Sequence, residues 1–115
     1  MHLFVYGTLK RGQPRHSFLA AQAFVATAAT RPLYRVFNVG DYPALVRHHE
    51  GRCIEGELWD VDEECLHILD RVEGCDLGLY AREPVELSSP YEALSAVTYL
   101  YQRPVDGLAD CGSRW

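Results

Sequence analysis

Apolar positions fall along the chain in short blocks, and most blocks have the length of a strand rather than a helix. Residues 3–6, Leu-Phe-Val-Tyr, form a run that reads as a buried strand, stopped by Gly7-Thr8. Lys10-Arg11-Gly12-Gln13-Pro14 follows as an exposed loop. Over residues 16–23, Phe18, Leu19 and Ala23 make a thin apolar stripe, interrupted by Gln22, which predicts a short helix. Residues 24–29 and 33–39 carry strand patterns. Gly40-Asp41-Tyr42-Pro43 is a turn signal before the apolar Ala44-Leu45-Val46, residues 48–52 read as a hairpin loop, and residues 53–61 as a strand.

The period then changes. From residue 63 to 72, Cys65, Leu66, Ile68, Leu69 and Val72 recur at helical spacing, while Glu64, His67, Asp70 and Arg71 fall mainly on the other side. Asp60 and Asp62 are both candidate N-caps, and the acids that follow suit a helix start. Gly74 ends the helix. Residues 79–87 return to strand, with Pro84 marking an edge or a bulge. In residues 96–101, Val97, Tyr99 and Tyr101 alternate with Ala96, Thr98 and Leu100. Five to six strands, one long helix and one short one predict an α+β domain, or a small mixed β-barrel with flanking short helices. Helices do not alternate with strands one for one, which argues against a doubly wound parallel sheet.

Composition narrows the function classes. The 115 residues suit a single domain over 1–115 that buries its core without disulfide or metal staples. Eleven basic against sixteen acidic side chains give a net charge of −5, the wrong sign for a non-specific nucleic-acid binder. No segment is long and apolar enough for a membrane helix, and the first residues lack the basic start of a signal peptide. The expected location is cytoplasmic, where Cys53, Cys65, Cys75 and Cys111, none in a C-x-x-C pair, stay as thiols. His48 and His49 would diverge in a strand and His67 stands alone, so no metal site follows. Only Cys75 and Cys111 read as exposed, and neither has an adjacent histidine to activate it.

Three features could carry chemistry. A strand ending at Tyr6-Gly7-Thr8-Leu9 leaves backbone N–H groups without ladder partners, suited to a carboxylate or another small anion; the alternative is an ordinary turn. Glu73 sits at the C-terminal end of the helix, where the helix dipole disfavours an anion. That field with partial burial would raise its pKa and suit it to proton transfer, unless it is a surface acid or pairs with Arg71 or Arg82. Tyr6, Tyr42, Tyr80, Tyr99 and Tyr101 would line a small-molecule pocket or simply fill the core.

The ordered series Val5-Tyr6-Gly7-Thr8-Leu9-Lys10-Arg11-Gly12, Asp41-Tyr42-Pro43-Ala44-Leu45, Glu55-Gly56-Glu57-Leu58-Trp59-Asp60-Val61-Asp62, Leu69-Asp70-Arg71-Val72-Glu73-Gly74, Leu79-Tyr80-Ala81-Arg82 and Tyr99-Leu100-Tyr101 resembles the gamma-glutamylcyclotransferase-like superfamily. Within it the likeness is to the gamma-glutamylamine cyclotransferases and their small bacterial relatives. The resemblance runs from residue 3 to residue 101. It implies a mixed barrel with flanking helices and a cavity at one end. It implies that Tyr6, Gly7, Thr8 and Leu9 hold the alpha-carboxylate and amino end of a gamma-glutamyl group, that Glu73 is catalytic, and that Tyr80, Tyr42 with Pro43, and Tyr101 form the pocket wall. The implied reaction is intramolecular aminolysis giving 5-oxoproline, with no cofactor because the nucleophile is tethered to its target. A non-catalytic domain binding a carboxylate or amino-acid derivative is the alternative. The expected partner is a small gamma-glutamyl molecule, and the chain is expected to be a monomer or weak homodimer. The C-terminal Trp115 either folds over the site or protrudes.

Overall fold

The computed structural model describes residues 1–115. In chain order the strands are β1 (His2–Val5), β2 (Ala23–Ala29), β3 (Tyr34–Asn38), β4 (Pro43–Arg47) and β5 (Glu55–Asp60). After the helix α1 (Glu63–Val72) come β6 (Tyr80–Val85), β7 (Ala96–Tyr101) and β8 (Ala109–Asp110). Two 3₁₀ turns, His16–Leu19 and Cys75–Leu77, complete the regular structure.

The strands form a five-stranded sheet in the order β2-β5-β1-β7-β6 and a three-stranded sheet in the order β4-β3-β8. The fold is therefore α+β as expected, and "barrel" describes two facing sheets only loosely. β1 lies at the centre, antiparallel to β5 and parallel to β7. Its alternate residues feed two cores. Leu3 and Val5 pack with Trp59, Leu66 and Leu69 beneath α1, whereas Phe4 and Tyr6 pack with Tyr34, Leu45 and Leu58 on the other face. Burial on both faces explains why β1 is continuously apolar rather than alternating. Burying Leu66 and Leu69 stabilises the α1 contact by roughly 1.5–3 kcal/mol each.

Local chemistry sets the helix boundaries. The Asp62 carboxylate accepts from the Cys65 N–H at 2.8 Å, so Asp62 is the N-cap; Asp60 belongs to β5. At the other end Gly74 takes φ +69°, a left-handed conformation that stops the helix and leaves Glu73 as its C-cap. Pro84 lies in β6, an edge strand, where its missing N–H removes nothing from the ladder's interior.

Several expectations need correction. The helix expected over 16–23 is one 3₁₀ turn, because Ala23 already enters β2 and the Gln22 side chain turns away to accept from the Asp62 N–H at 2.9 Å. Residues 48–52 are not a hairpin loop. The hairpin joins β3 to β4, closed by Val39 N–H to Tyr42 O at 3.0 Å, and the segment after β4 crosses to the other sheet. There His48 and His49 stack, ring centroids 4.7 Å apart, rather than diverge. The polar tail supplies β8, registered by backbone bonds from Cys111 N–H to Val36 O and from Glu55 N–H to Ser113 O, both 2.8 Å. Its final Trp115 neither covers the site nor protrudes. It packs against the second core, and its carbonyl accepts from Lys10 Nζ at 3.1 Å. Cys53 is exposed, which the sequence reading missed.

Candidate active site

The end of β1 opens into a small recess with a cavity volume of about 20 Å³, partly open to solvent. Phe4 to Leu9 line one side, and Tyr42, Pro43, Glu73, Tyr80 and Tyr99 line the rest. Five separate segments of the chain therefore converge on one recess.

The loop after β1 is shaped by what happens to its carbonyls. Gly7 O accepts from Lys10 N–H at 3.0 Å, Thr8 O from Arg15 N–H at 2.9 Å, and Leu9 O contacts His16 Nδ1 at 3.1 Å. The N–H groups of Gly7, Thr8 and Leu9 have no acceptor within the chain. Three successive donors on the lining of a pocket are a ready site for a carboxylate or a developing oxyanion, since an orphaned buried N–H is costly unless a ligand or water takes it. Gly7 is required for a different reason: a Cβ there would lie 2.2 Å from Pro43 Cγ.

The tyrosine hydroxyls build the wall rather than face the cavity. Tyr6 O–H donates to Tyr99 O at 2.6 Å and accepts from Leu45 N–H at 3.4 Å. Tyr80 O–H donates to Pro43 O at 2.5 Å, and so holds the Tyr42-Pro43 turn against Gly7. Both hydroxyls are held far above the usual tyrosine range. Burial is the main cause, joined at Tyr6 by the neighbouring Tyr80 and then Glu73, and at Tyr80 by Glu73. Neither is a proton donor to substrate at neutral pH.

Glu73 is placed by the α1 C-terminus and the Gly74 reversal. Its N–H donates to Leu69 O at 2.8 Å, which fixes the backbone. Neither Arg71 nor Arg82 pairs with it, and Arg82 pairs instead with Asp70 at 3.3 Å. The residue keeps some surface open to the pocket. The carboxyl itself is withdrawn from bulk water, and this pushes its pKa from 4.5 up to about 7, against the opposing pull of Arg15. A half-protonated carboxyl at neutral pH can both take and return a proton.

Of the residues singled out from sequence, Tyr6, Gly7, Thr8, Leu9, Tyr42, Glu73 and Tyr80 meet at this pocket. Tyr101 does not line it. It packs edge-on behind Tyr80, with ring centroids 5.3 Å apart. The sequence groups Tyr99 with the aromatics but gives it no place in the site, although it lines the recess. Burial raises the Cys75 and Cys111 thiols, with help from nearby acids, so neither is an activated nucleophile. No helix is long and apolar enough to cross a membrane.

Comparison with known proteins gives a consistent picture. The family described as gamma-glutamyl cyclotransferase, AIG2-like, matches residues 3–115. The gamma-glutamylcyclotransferase family protein YtfP of Escherichia coli K12 is 34% identical over 110 residues, covering 94% of this chain and 88% of that one. The gamma-glutamylaminecyclotransferase of Homo sapiens is 41% identical over 88 residues, covering 70% of this chain but only 57% of its own. Among solved structures, an AIG2-like protein from Mus musculus superposes with a TM-score of 0.85 at 29% identity, covering 99% of this chain and 87% of that one.

Proposed function

Because the chain belongs to the AIG2-like gamma-glutamyl cyclotransferase family, we propose that it is an enzyme releasing 5-oxoproline from a gamma-glutamyl amine or peptide, with Glu73 as general acid and base. The observation that carries this reading is a carboxyl titrating near neutrality in the same recess as three unpaired backbone donors.

The chemistry follows from those parts. The alpha-carboxylate of the glutamyl group accepts from N–H groups of Gly7, Thr8 and Leu9. Ionised Glu73 takes a proton from the substrate ammonium, and the freed amine attacks the gamma-carbonyl of the same molecule. A C–N bond forms, the ring closes to a tetrahedral intermediate, and its oxyanion is stabilised by a backbone donor of the same loop. Protonated Glu73 then returns the proton to the leaving nitrogen and the old C–N bond breaks; Glu73 takes the remaining extra proton from the ring nitrogen and passes it to the amine, which departs as the ammonium beside a neutral lactam. Atoms and charge balance without a cofactor. Because nucleophile and electrophile belong to one molecule, the enzyme's main contribution is to hold the chain bent, and orientation of this kind supplies up to ~7–11 kcal/mol. The recess is partly open, which directs the leaving amine toward its mouth.

Four unpaired cysteines agree with a cytoplasmic setting, where thiols persist. The test is to incubate the purified protein with gamma-glutamyl amines, gamma-glutamyl dipeptides and glutathione, and to detect 5-oxoproline by mass spectrometry. Product from at least one class supports the reading. Saturable binding by calorimetry with no product from any class would replace it with a binding domain.

A further inference from the structure

The backbone donors of the recess are aimed by the carbonyls that precede them. In a trans peptide the N–H points opposite to the C=O. The Thr8 N–H therefore faces away from Gly7 O, which Lys10 N–H holds at 3.0 Å, and the Leu9 N–H faces away from Thr8 O, which Arg15 N–H holds at 2.9 Å. Both bonds depend on where residues 10–15 sit, and that stretch has no strand or helix of its own. A carboxylate outside it fixes the chain. Glu57 lies on β5 opposite Val5, the last residue of β1. Its Oε1 accepts from Arg11 N–H at 3.0 Å and from Trp59 Nε1–H at 3.2 Å, and its Oε2 accepts from Arg11 Nε–H at 3.0 Å. The Arg11 guanidinium lies over the Phe24 ring, 3.8 Å from the centroid, and Phe24 meets Trp59 edge-on at 5.5 Å.

We propose that Glu57 is a positioning residue for the ring closure: by clamping Arg11 it holds residues 10–15 in the arrangement that aims the Thr8 and Leu9 N–H groups into the recess. The proposal rests on the cyclotransferase reading for its reaction. Glu57 does not line the recess, so it acts through the loop and not on substrate. It is the one buried carboxylate of the chain, 8% exposed, and a buried charge persists only when paired and hydrogen-bonded. Burial pushes its carboxyl up, and the Arg11 and Trp59 donors more than offset this, so its pKa lies below the ordinary Glu value and it stays ionised at neutral pH. An ion pair that served stability alone would need only the guanidinium. Here the same carboxylate also takes the Arg11 backbone N–H, which fixes the course of the chain one residue after Lys10, the donor to Gly7 O.

The experiment compares wild type, Glu57→Ala and Glu57→Gln with gamma-glutamyl-alanine and gamma-glutamyl-ethylamine, at a temperature where circular dichroism shows all three folded. Glu57→Ala is expected to lose about 10- to 100-fold in kcat/KM with both substrates, through a lower kcat and a higher KM, because the loop serves the alpha-carboxylate and the oxyanion alike. The pH midpoint near 7 assigned to Glu73 is expected to stay in place while the plateau falls. Glu57→Gln keeps an oxygen for Arg11 N–H and Trp59, and the half-exposed Arg11 side chain can turn away from the new amide nitrogen, so most of the activity is expected to return. A Glu57→Ala protein that is less stable yet turns over at the wild-type rate would overturn the proposal, as would a Glu57→Gln protein as impaired as Glu57→Ala. Amide hydrogen exchange reads the clamp without turnover. Glu57→Ala is expected to lose about 10-fold or more of the protection at Lys10 and Arg15 N–H while the β1 amides keep theirs. Unchanged protection at Lys10 and Arg15 overturns the positioning role whatever the kinetics, whereas absence of 5-oxoproline from wild type with both substrates overturns the cyclotransferase reading and leaves the exchange result to decide the clamp.

Discussion

Replacing Glu73 by Gln should stabilise the protein at alkaline pH and leave it unchanged near pH 4. Glu73 is an acid whose pKa rises from 4.5 to about 7 on folding, mainly because the fold removes its carboxyl from water. Between those values the folded state binds more protons than the unfolded one, so stability falls as pH rises through the window and the full penalty stands above it. At full weight the shift corresponds to ~3 kcal/mol. The side chain is only half-buried, so solvent screening reduces this, and about 1–2 kcal/mol is the expected difference at pH 8. Gln keeps the shape and cannot ionise. The carboxyl has no hydrogen-bond partner within the chain, so the substitution removes no contact. Urea denaturation of both proteins at pH 4, 6 and 8 reads the effect directly, with unchanged m-values as the control for two-state unfolding. In a thermal melt at pH 8 the variant should gain roughly 4–8 °C per kcal/mol. A difference independent of pH, or a variant less stable than wild type at pH 8, would refute a buried, electrostatically disfavoured carboxylate at this position.

Other consequences are as specific. With Glu73 as the base, kcat/KM should rise with pH to a plateau, with a midpoint near 7 from the free enzyme; a falling limb in that range would contradict it. Tyr80→Phe leaves the buried Pro43 carbonyl without its donor, so a loss of about 1–3 kcal/mol in urea and a raised KM are expected. Gly7→Ala forces the new methyl against Pro43, 2.2 Å from Cγ, and should cost about 1–3 kcal/mol while disordering the loop; crystallography would show Pro43 displaced.

Much of this was legible before any coordinates, and the exceptions have physical causes. α1 is read correctly to both ends because its period, its Asp62 cap and its Gly74 stop all agree. β7 is likewise read to the residue, since Ala96–Tyr101 alternates cleanly. β8 escaped notice because its two residues have no pattern of their own, and only backbone bonds to β3 make it a strand. The turn at His16–Leu19 was overread as a longer helix because a thin apolar stripe cannot show that Gln22 is occupied by Asp62. At the site, the wrong sign of Glu73 for a helix C-terminus marked it out, and burial rather than the dipole proves to be the main cause of its shift. The tyrosines looked like ligand-facing groups, but the hydroxyls of Tyr6 and Tyr80 bind backbone carbonyls across long sequence separations. Only the tertiary arrangement could show that.

The central claim is that Glu73 moves the proton in a ring closure. Its most direct test is a single-turnover measurement with a gamma-glutamyl dipeptide, following 5-oxoproline and free amino acid together in wild type and Glu73→Gln. The account predicts equal amounts of both products from wild type, and a variant that still binds the dipeptide but forms 5-oxoproline at least ~100-fold more slowly. Wild-type rates from the variant, or free glutamate in place of 5-oxoproline, would contradict it.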